Sequence, residues 1–407
     1  MTETPSATRK RAPIWMMGLT NATFGMMGGF SVVTMPQLLA ADGVSGGHIA
    51  AITSSIISPL FFVSFLSPML DVRFRRRTYA LIFGVLTALA TAFAILRHSD
   101  PLMVVVLMFS GFTAASFYQG AVGGWMGSLI DKQQDSILGT WFNVGNVGAG
   151  GLVIILGGRI VLHSSPVVAA AFIGVILLLP MVFFLFIPAP PPDKVLAGES
   201  FGRFFREIFS LLKRQEVLIG LAIFVLPSAS FALTNVLAGI GNDYHASPNT
   251  VSLLSGVGSM LAGVVGSFLV PLLAKKIPLR PLYIYIGIVG ASFTLSSLLL
   301  PREPWTYGVV FTGEIVFQAL AFTAANGIIF EIIGPDNPLA ATTYTVLIAV
   351  MNLPIIYMGI ADGWGYDRGG LVGSFAVDAG LGMTACIFLA IVLRKWLFAS
   401  QPIKEHA

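Results

Sequence analysis

A carboxylate deep in an apolar stretch is the first residue of this 407-residue sequence that could do chemistry. Glu314 stands about eight residues, roughly 12 Å at 1.5 Å per residue, into an apolar run spanning 306–333. Gln318 follows one helical turn later on the same face. Holding a charge at the centre of a membrane helix costs about 2.5–3.5 kcal/mol on insertion scales. A carboxyl group there can instead take up and release a proton, so Glu314 is the candidate for proton coupling. The structural alternative is pairing with an Arg or a backbone group of a neighbouring helix. Asp378 and Glu331 lie nearer the ends of their runs and read as interfacial charges, which cost about 0–1 kcal/mol.

Uncharged polar groups form the second set. Asn143 and Asn146 are spaced i, i+3 among Gly145, Gly148, Gly150 and Gly151. Tyr118, Gln119, Asn21, Asn235, Asn326 and Asn352 also fall inside apolar runs. Amides in hydrocarbon need partners. A wet central cavity or a helix–helix hydrogen bond, the latter averaging about 0.6 kcal/mol, would supply them. Together with Gln318, these residues are the candidate substrate contacts. Other chemistries lack their residues. There is no Gly-x-x-x-x-Gly-Lys-Ser/Thr loop for nucleotide phosphates. The five histidines make no paired metal motif, and no Ser/His/Asp set lies in the apolar runs. The single Cys386 permits no intrachain disulfide. The expectation is no enzyme, no metal and no cofactor.

The elements that must position these groups are membrane helices. The chain is 56% hydrophobic and 10% charged, against about 25% charged for soluble domains. Its 44 glycines and 23 prolines suit helices that pack closely and kink. Twelve runs can cross a bilayer, near 14–41, 49–70, 79–96, 102–130, 137–162 and 166–188, then 217–241, 250–274, 281–300, 306–333, 340–361 and 371–397. The first is too long for the apolar core of a cleaved signal peptide, so it reads as a retained span. Pro36, Pro59, Pro227 and Pro354 fall within runs and can kink them.

Nineteen of the 23 Lys and Arg residues fall in segments on the side of the termini, against four on the other. That asymmetry predicts cytoplasmic termini and excludes nucleic acid as the reason for the net charge of +4. Residues 189–216 open with prolines and continue as Phe201-Gly202-Arg203-Phe204-Phe205-Arg206, an amphipathic pattern suited to the membrane surface. They read as a linker between a first bundle, 1–188, and a second, 217–407. Ser64-Phe65-Leu66-Ser67-Pro68-Met69-Leu70 recurs 203 residues later as Ser267-Phe268-Leu269-Val270-Pro271-Leu272-Leu273. This supports two parallel repeats.

Between the second and third runs stands Ser67-Pro68-Met69-Leu70-Asp71-Val72-Arg73-Phe74-Arg75-Arg76-Arg77. This stretch resembles the cytoplasmic loop signature of the major facilitator superfamily, with Asp71, Arg75 and Arg76 at matching positions. Ser67, Val72 and Phe74 depart from it. A carboxylate at a helix end beside guanidinium groups can lock against the opposing half, so these three are the candidate gate. Ser67-Pro68, Asp71 and the triple arginine, with Ala340-Ala341-Thr342-Thr343-Tyr344 and Gly359–Tyr366, look like the peptide–acetyl-CoA–drug transporter family of AmpG-type muropeptide permeases. Ser116-Phe117-Tyr118-Gln119-Gly120-Ala121 departs from that family, where an acidic residue follows a Ser-Gln pair.

The resulting expectation is an all-α integral membrane protein, twelve transmembrane helices in two pseudo-symmetric six-helix bundles. The resemblance implies a monomeric, bacterial inner-membrane secondary transporter. It would import a muropeptide, a siderophore or an acyl-CoA-like solute, coupled to the proton gradient. Export of drugs or metabolites, and ligand sensing without transport, remain the alternatives.

Overall fold

The computed structural model describes residues 12–71, 74–189, 213–237, 239–334 and 337–397. Ten stretches of these residues are long and apolar enough to cross a membrane. Spans one to six are Ile14–Ala41, Ala51–Asp71, Arg76–Leu96, Pro101–Gly127, Asp135–Val161 and Pro166–Leu185. Spans eight to ten are Thr250–Ala274, Leu279–Ser297 and Pro304–Ile333. The stretch Ala340–Val392 holds spans eleven and twelve, parted at Gly370, whose φ of 57° suits a residue without a Cβ. Span seven is the short helix Gln215–Val225 continued, after a break, by Leu233–Leu237. Among the described residues the fold is therefore all-helical, without strands, with twelve crossings arranged as two six-helix bundles.

Local sequence explains where the helices start. Pro101, Pro166, Pro248 and Pro304 stand at first-turn positions, where a missing N–H leaves no bond unmade. Asp100 accepts the amides of Leu102 at 3.1 Å and Met103 at 3.2 Å. The ends at Ile14, Asp71, Arg76, Lys275 and Ala340 lie on what is here termed the terminal face. The turns near Asp42, Asp100, Ser165, Ser247, Pro301 and Gly370 lie on the opposite face. Apolar side chains such as Leu89, Phe93, Val167 and Val175 are exposed along spans three and six, as lipid-facing positions should be.

Two features differ from the sequence expectation. Span eleven does not end near Ala361 but stays helical to the Gly370 break, which carries Asp362 inside the span. Span seven is not one helix. Pro227 removes a donor, and Phe231 takes a φ of 46°. The freed carbonyls are collected by side chains, as non-helical backbone at membrane depth requires. Tyr357 Oη donates to Val225 O at 2.6 Å, Cys386 Sγ to Ser228 O at 2.7 Å, and Gln318 Nε2 to Phe231 O at 3.4 Å. The proline-rich and amphipathic parts of the 189–216 linker lie outside the described residues.

Candidate functional site

At the terminal face the two bundles are tied by a buried carboxylate. Asp71, only 1% exposed, ends span two. Its oxygens accept the amides of Ala341 at 3.2 Å and Thr342 at 2.8 Å, and the Thr342 hydroxyl at 2.7 Å. These amides open the first turn of span eleven, where they have no intrahelical partner and the helix dipole favours an anion. Arg76 completes the tie. Its Nε donates to Asp71 Oδ1 at 2.8 Å, and its Nη2 to Asn337 O at 3.1 Å and Pro338 O at 2.9 Å. Among the described residues Arg75 has no hydrogen bond or ion pair, and it stands exposed at the helix start. In the second repeat the counterparts of Asp71 and Arg76 are Ala274 and Leu279, so the latch is one-sided.

A second tie closes the same face between spans five and eight. Asn143 Nδ2 donates to Ser267 Oγ at 2.9 Å and to Ala319 O of span ten at 3.5 Å. Ser267 is the residue that the repeat pairs with Ser64. Beside it, Phe142, Phe330 and Tyr344 form a fully buried aromatic plug, with ring centroids 5.1–6.0 Å apart. Gly124 lets spans four and eleven approach backbone to backbone, since a Cβ there would overlap Ala341.

The other amides divide. Asn21 Nδ2 donates to Phe142 O at 3.2 Å, and Tyr118 Oη to Thr20 O at 2.6 Å, so both join spans within the first bundle. Asn326 donates to Phe322 O at 2.8 Å and accepts from Tyr344 Oη at 3.4 Å. Asn352 is half-buried and donates to Ile348 O at 2.8 Å. Gln318, half-buried, also reaches Thr234 Oγ1 at 3.1 Å and so braces the span-seven break. Gln119 is buried, Asn146 half-buried and Asn235 exposed, and none of the three side chains has a hydrogen bond among the described residues. Asn146 sits in a π-helical turn, Val144–Gly148, a distortion frequent at functional sites.

Glu314 is fully buried, ten residues after Pro304 and so about 15 Å in from the opposite face. Its Oε1 lies 2.5 Å from Thr294 Oγ1, and its Oε2 has no hydrogen-bond partner among the described residues. Sequence reasoning missed its neighbours. Asp362 of span eleven and Asp378 of span twelve are 0% and 7% exposed, and both act electrostatically with Glu314. Among the described residues no Lys, Arg or His pairs with any of the three. The pairing signal was present in the hairpin glycines. Spans eleven and twelve cross at Gly365 and Gly373, where a Cβ on Gly365 would fall 2.6 Å from Gly373 O. Asp362 and Asp378 lie three and five residues beyond that crossing, within about 3 Å of one another along the helix axis. Glu331 behaves as the sequence suggested, in an ion pair with Arg280 at 2.6 Å near the terminal face.

Two bundles, latched at one face and carrying polar groups at membrane depth, define a polytopic transporter architecture. A family model described as Major Facilitator Superfamily matches residues 17–336, and the chain belongs to that superfamily. No curated protein matches the sequence. Similar solved structures include the proton:xylose symporter XylE, at 12% identity, TM-score 0.70, covering 95% of this chain and 96% of that one. A structure of the E. coli fucose:proton symporter FucP is similar at 13% identity and TM-score 0.72, with 93% and 98% covered. A bacterial homologue of the iron transporter ferroportin, in an outward-facing state, is similar at 14% identity and TM-score 0.65, with 94% and 98% covered. These likenesses are of fold.

Proposed function

We propose that the chain is a proton-coupled secondary transporter that imports a small organic solute by alternating access. The observation that carries this reading is the seal at the terminal face. The Asp71–Arg76–Thr342 latch, the Asn143–Ser267 tie and the aromatic plug all join the two halves near one end. Each is a hydrogen-bonded or packed contact that can break and re-form, as a gate must. A sealed terminal face is the arrangement of an outward-facing or occluded carrier, if the termini are cytoplasmic as the Lys and Arg asymmetry implies. The halves that rock are assigned to 1–188 and 217–407, joined by 189–216.

Glu314 serves as the proton carrier, because it is buried without a cation among the described residues and lies beyond the seal from the terminal face. Gln119, Asn146 and Asn235, whose amides have no hydrogen bond among the described residues, and Gln318 beside the broken span seven serve as solute contacts. Discontinuous helices in transporters commonly mark such sites. Asn21, Tyr118, Asn143 and Asn326 frame that region through helix–helix bonds, Asn352 bonds back to its own helix, and Asp71 with Arg76 is the gate. The resemblance to AmpG-type permeases favours a muropeptide, a ferric siderophore or an acyl-CoA compound as solute, and a monomer in the bacterial inner membrane.

The test is uptake by the purified protein in proteoliposomes, screened with muropeptides, ferric siderophores, acyl-CoA compounds and short peptides under an imposed pH gradient. Accumulation of one class above its external concentration, abolished by a protonophore, is expected. Saturable binding without accumulation of any of them would mark a sensor, and accumulation only against an outward gradient would mark an exporter.

A further inference from the structure

Three acidic groups of the second bundle converge from three different spans. Glu314 comes from span ten, Asp362 from span eleven and Asp378 from span twelve. Both oxygens of Asp362 are buried with no amide, hydroxyl or cationic donor among the described residues, and the Asp378 carboxyl is the group beside them. An ionised carboxylate with neither donor nor cation is among the most expensive arrangements a protein interior can hold. Three of them together are worse, since like charges at close range cannot all ionise.

The contact at Thr294 supplies an independent clue. A threonine hydroxyl has one proton to donate. Thr294 Oγ1 is 3.1 Å from Gly290 O and 2.5 Å from Glu314 Oε1. Both contacts are satisfied together when Thr294 donates to Gly290 and Glu314 supplies the proton for the second.

A further polar group addresses the cluster from the opposite face. Tyr244 is 1% exposed and its hydroxyl has no hydrogen-bond partner among the described residues. It interacts electrostatically with the exposed Arg302, with Asp243 and with Glu314. Asp243 in turn accepts the Tyr366 hydroxyl at 2.9 Å. The groups facing the cluster are therefore Thr294 of span nine, the Leu233 amide against Asp378, Tyr244, and beyond it Asp243, Arg302 and Tyr366.

We propose that Glu314, Asp362 and Asp378 form a single proton-binding site in which the carboxyls share protons and which loads from the opposite face past Tyr244. This rests on the proton-coupled reading and extends it from one residue to a set. A proton moving within the site breaks one carboxyl O–H bond and forms another on a neighbouring carboxylate, leaving the net charge unchanged. The shared site gives a reason for the Gly365–Gly373 crossing, which brings the two hairpin carboxyls to one depth. It also couples protonation to helix position, because rocking that separates spans ten, eleven and twelve would force the carboxyls to hold protons independently.

The experiment reads protons directly and needs no solute. Infrared difference spectra of the protein in lipid bilayers are recorded against pH, in potassium and in sodium buffers. Wild type is compared with Glu314→Gln, Asp362→Asn, Asp378→Asn and Asp378→Glu. A buried carboxylic acid band is expected in wild type. Neutralising any one carboxyl should move the titration of the remaining band by about one pH unit or more, the mark of coupled groups. Asp378→Glu keeps a carboxyl and should keep the coupled titration, so it serves if the Asn variant fails to fold. Bands that vanish one at a time, with the others titrating unchanged, would overturn the proposal. So would a band that disappears when sodium replaces potassium at constant pH, which would make the site a cation site. Coupled bands in a protein whose uptake ignores the pH gradient would leave the shared site standing and remove the coupling reading.

Discussion

Thr342, in the first turn of span eleven, donates both its amide, at 2.8 Å, and its hydroxyl, at 2.7 Å, to the carboxylate of Asp71 at the end of span two. One short side chain thus ties the two halves at the terminal face by satisfying the first-turn amides of a helix that belongs to the other bundle. The latch is strong because the carboxylate is charged and the donors belong to a helix start.

Asp71→Asn removes that charge while keeping the shape. Hydrogen bonds to charged groups contribute about 1.5–3 kcal/mol, so losing about 2 kcal/mol should shift the balance roughly thirtyfold toward an open terminal face. Spin labels at Arg75 and Lys275, both exposed on that face, would report a larger long-distance population. An unchanged distribution would mean that the latch does not govern opening.

Asn143→Ala breaks the neutral tie to Ser267 and should act in the same direction but more weakly. A loss of about 1 kcal/mol corresponds to roughly a fivefold shift, read by the same labels. A larger effect than that of Asp71→Asn would reverse the proposed order of the two ties.

Gly124→Ala tests closure by sterics rather than by polarity. The added methyl group meets the Ala341 backbone, which cannot swing aside as a side chain could. The closed distance should be lost almost completely, with overpacking costing about 1–3 kcal/mol in the closed state. A closed distribution like that of the wild type would contradict the packing described for spans four and eleven.

Tyr118→Phe separates framework from solute contact. It frees the Thr20 carbonyl, which should cost about 1 kcal/mol in thermal stability and leave the KM for the solute unchanged. A raised KM at unchanged stability would instead make Tyr118 a solute contact.

Much of the fold could be read from the sequence because the signal is physical and long: twenty-residue apolar runs, and a Lys and Arg bias between alternate loops. Asp71 was legible as well, because a carboxylate at the end of a membrane helix beside several arginines demands a partner. That its partner is Thr342, rather than one of those arginines alone, needed the tertiary structure. Span seven misled because a run of apolar letters does not reveal that Pro227 is followed by a left-handed Phe231. The break is held by Tyr357, Cys386 and Gln318 from distant spans, together with the local hydroxyls of Ser228 and Thr234. Asp378 looked interfacial in one dimension, since depth along its own helix says nothing about what stands beside it. Asp362 was obscured for a related reason: the glycines around it resemble a loop, yet they serve a close helix crossing.

Transport assays on Glu314→Gln, run in proteoliposomes with an imposed pH gradient and again as counterflow without one, address proton coupling most directly. The amide fills the same space and binds no proton at physiological pH. Gradient-driven accumulation should fall to the level of protein-free liposomes, while counterflow exchange stays measurable. Accumulation that persists at the wild-type rate would show that Glu314 is structural and that the driving proton, if there is one, is carried elsewhere.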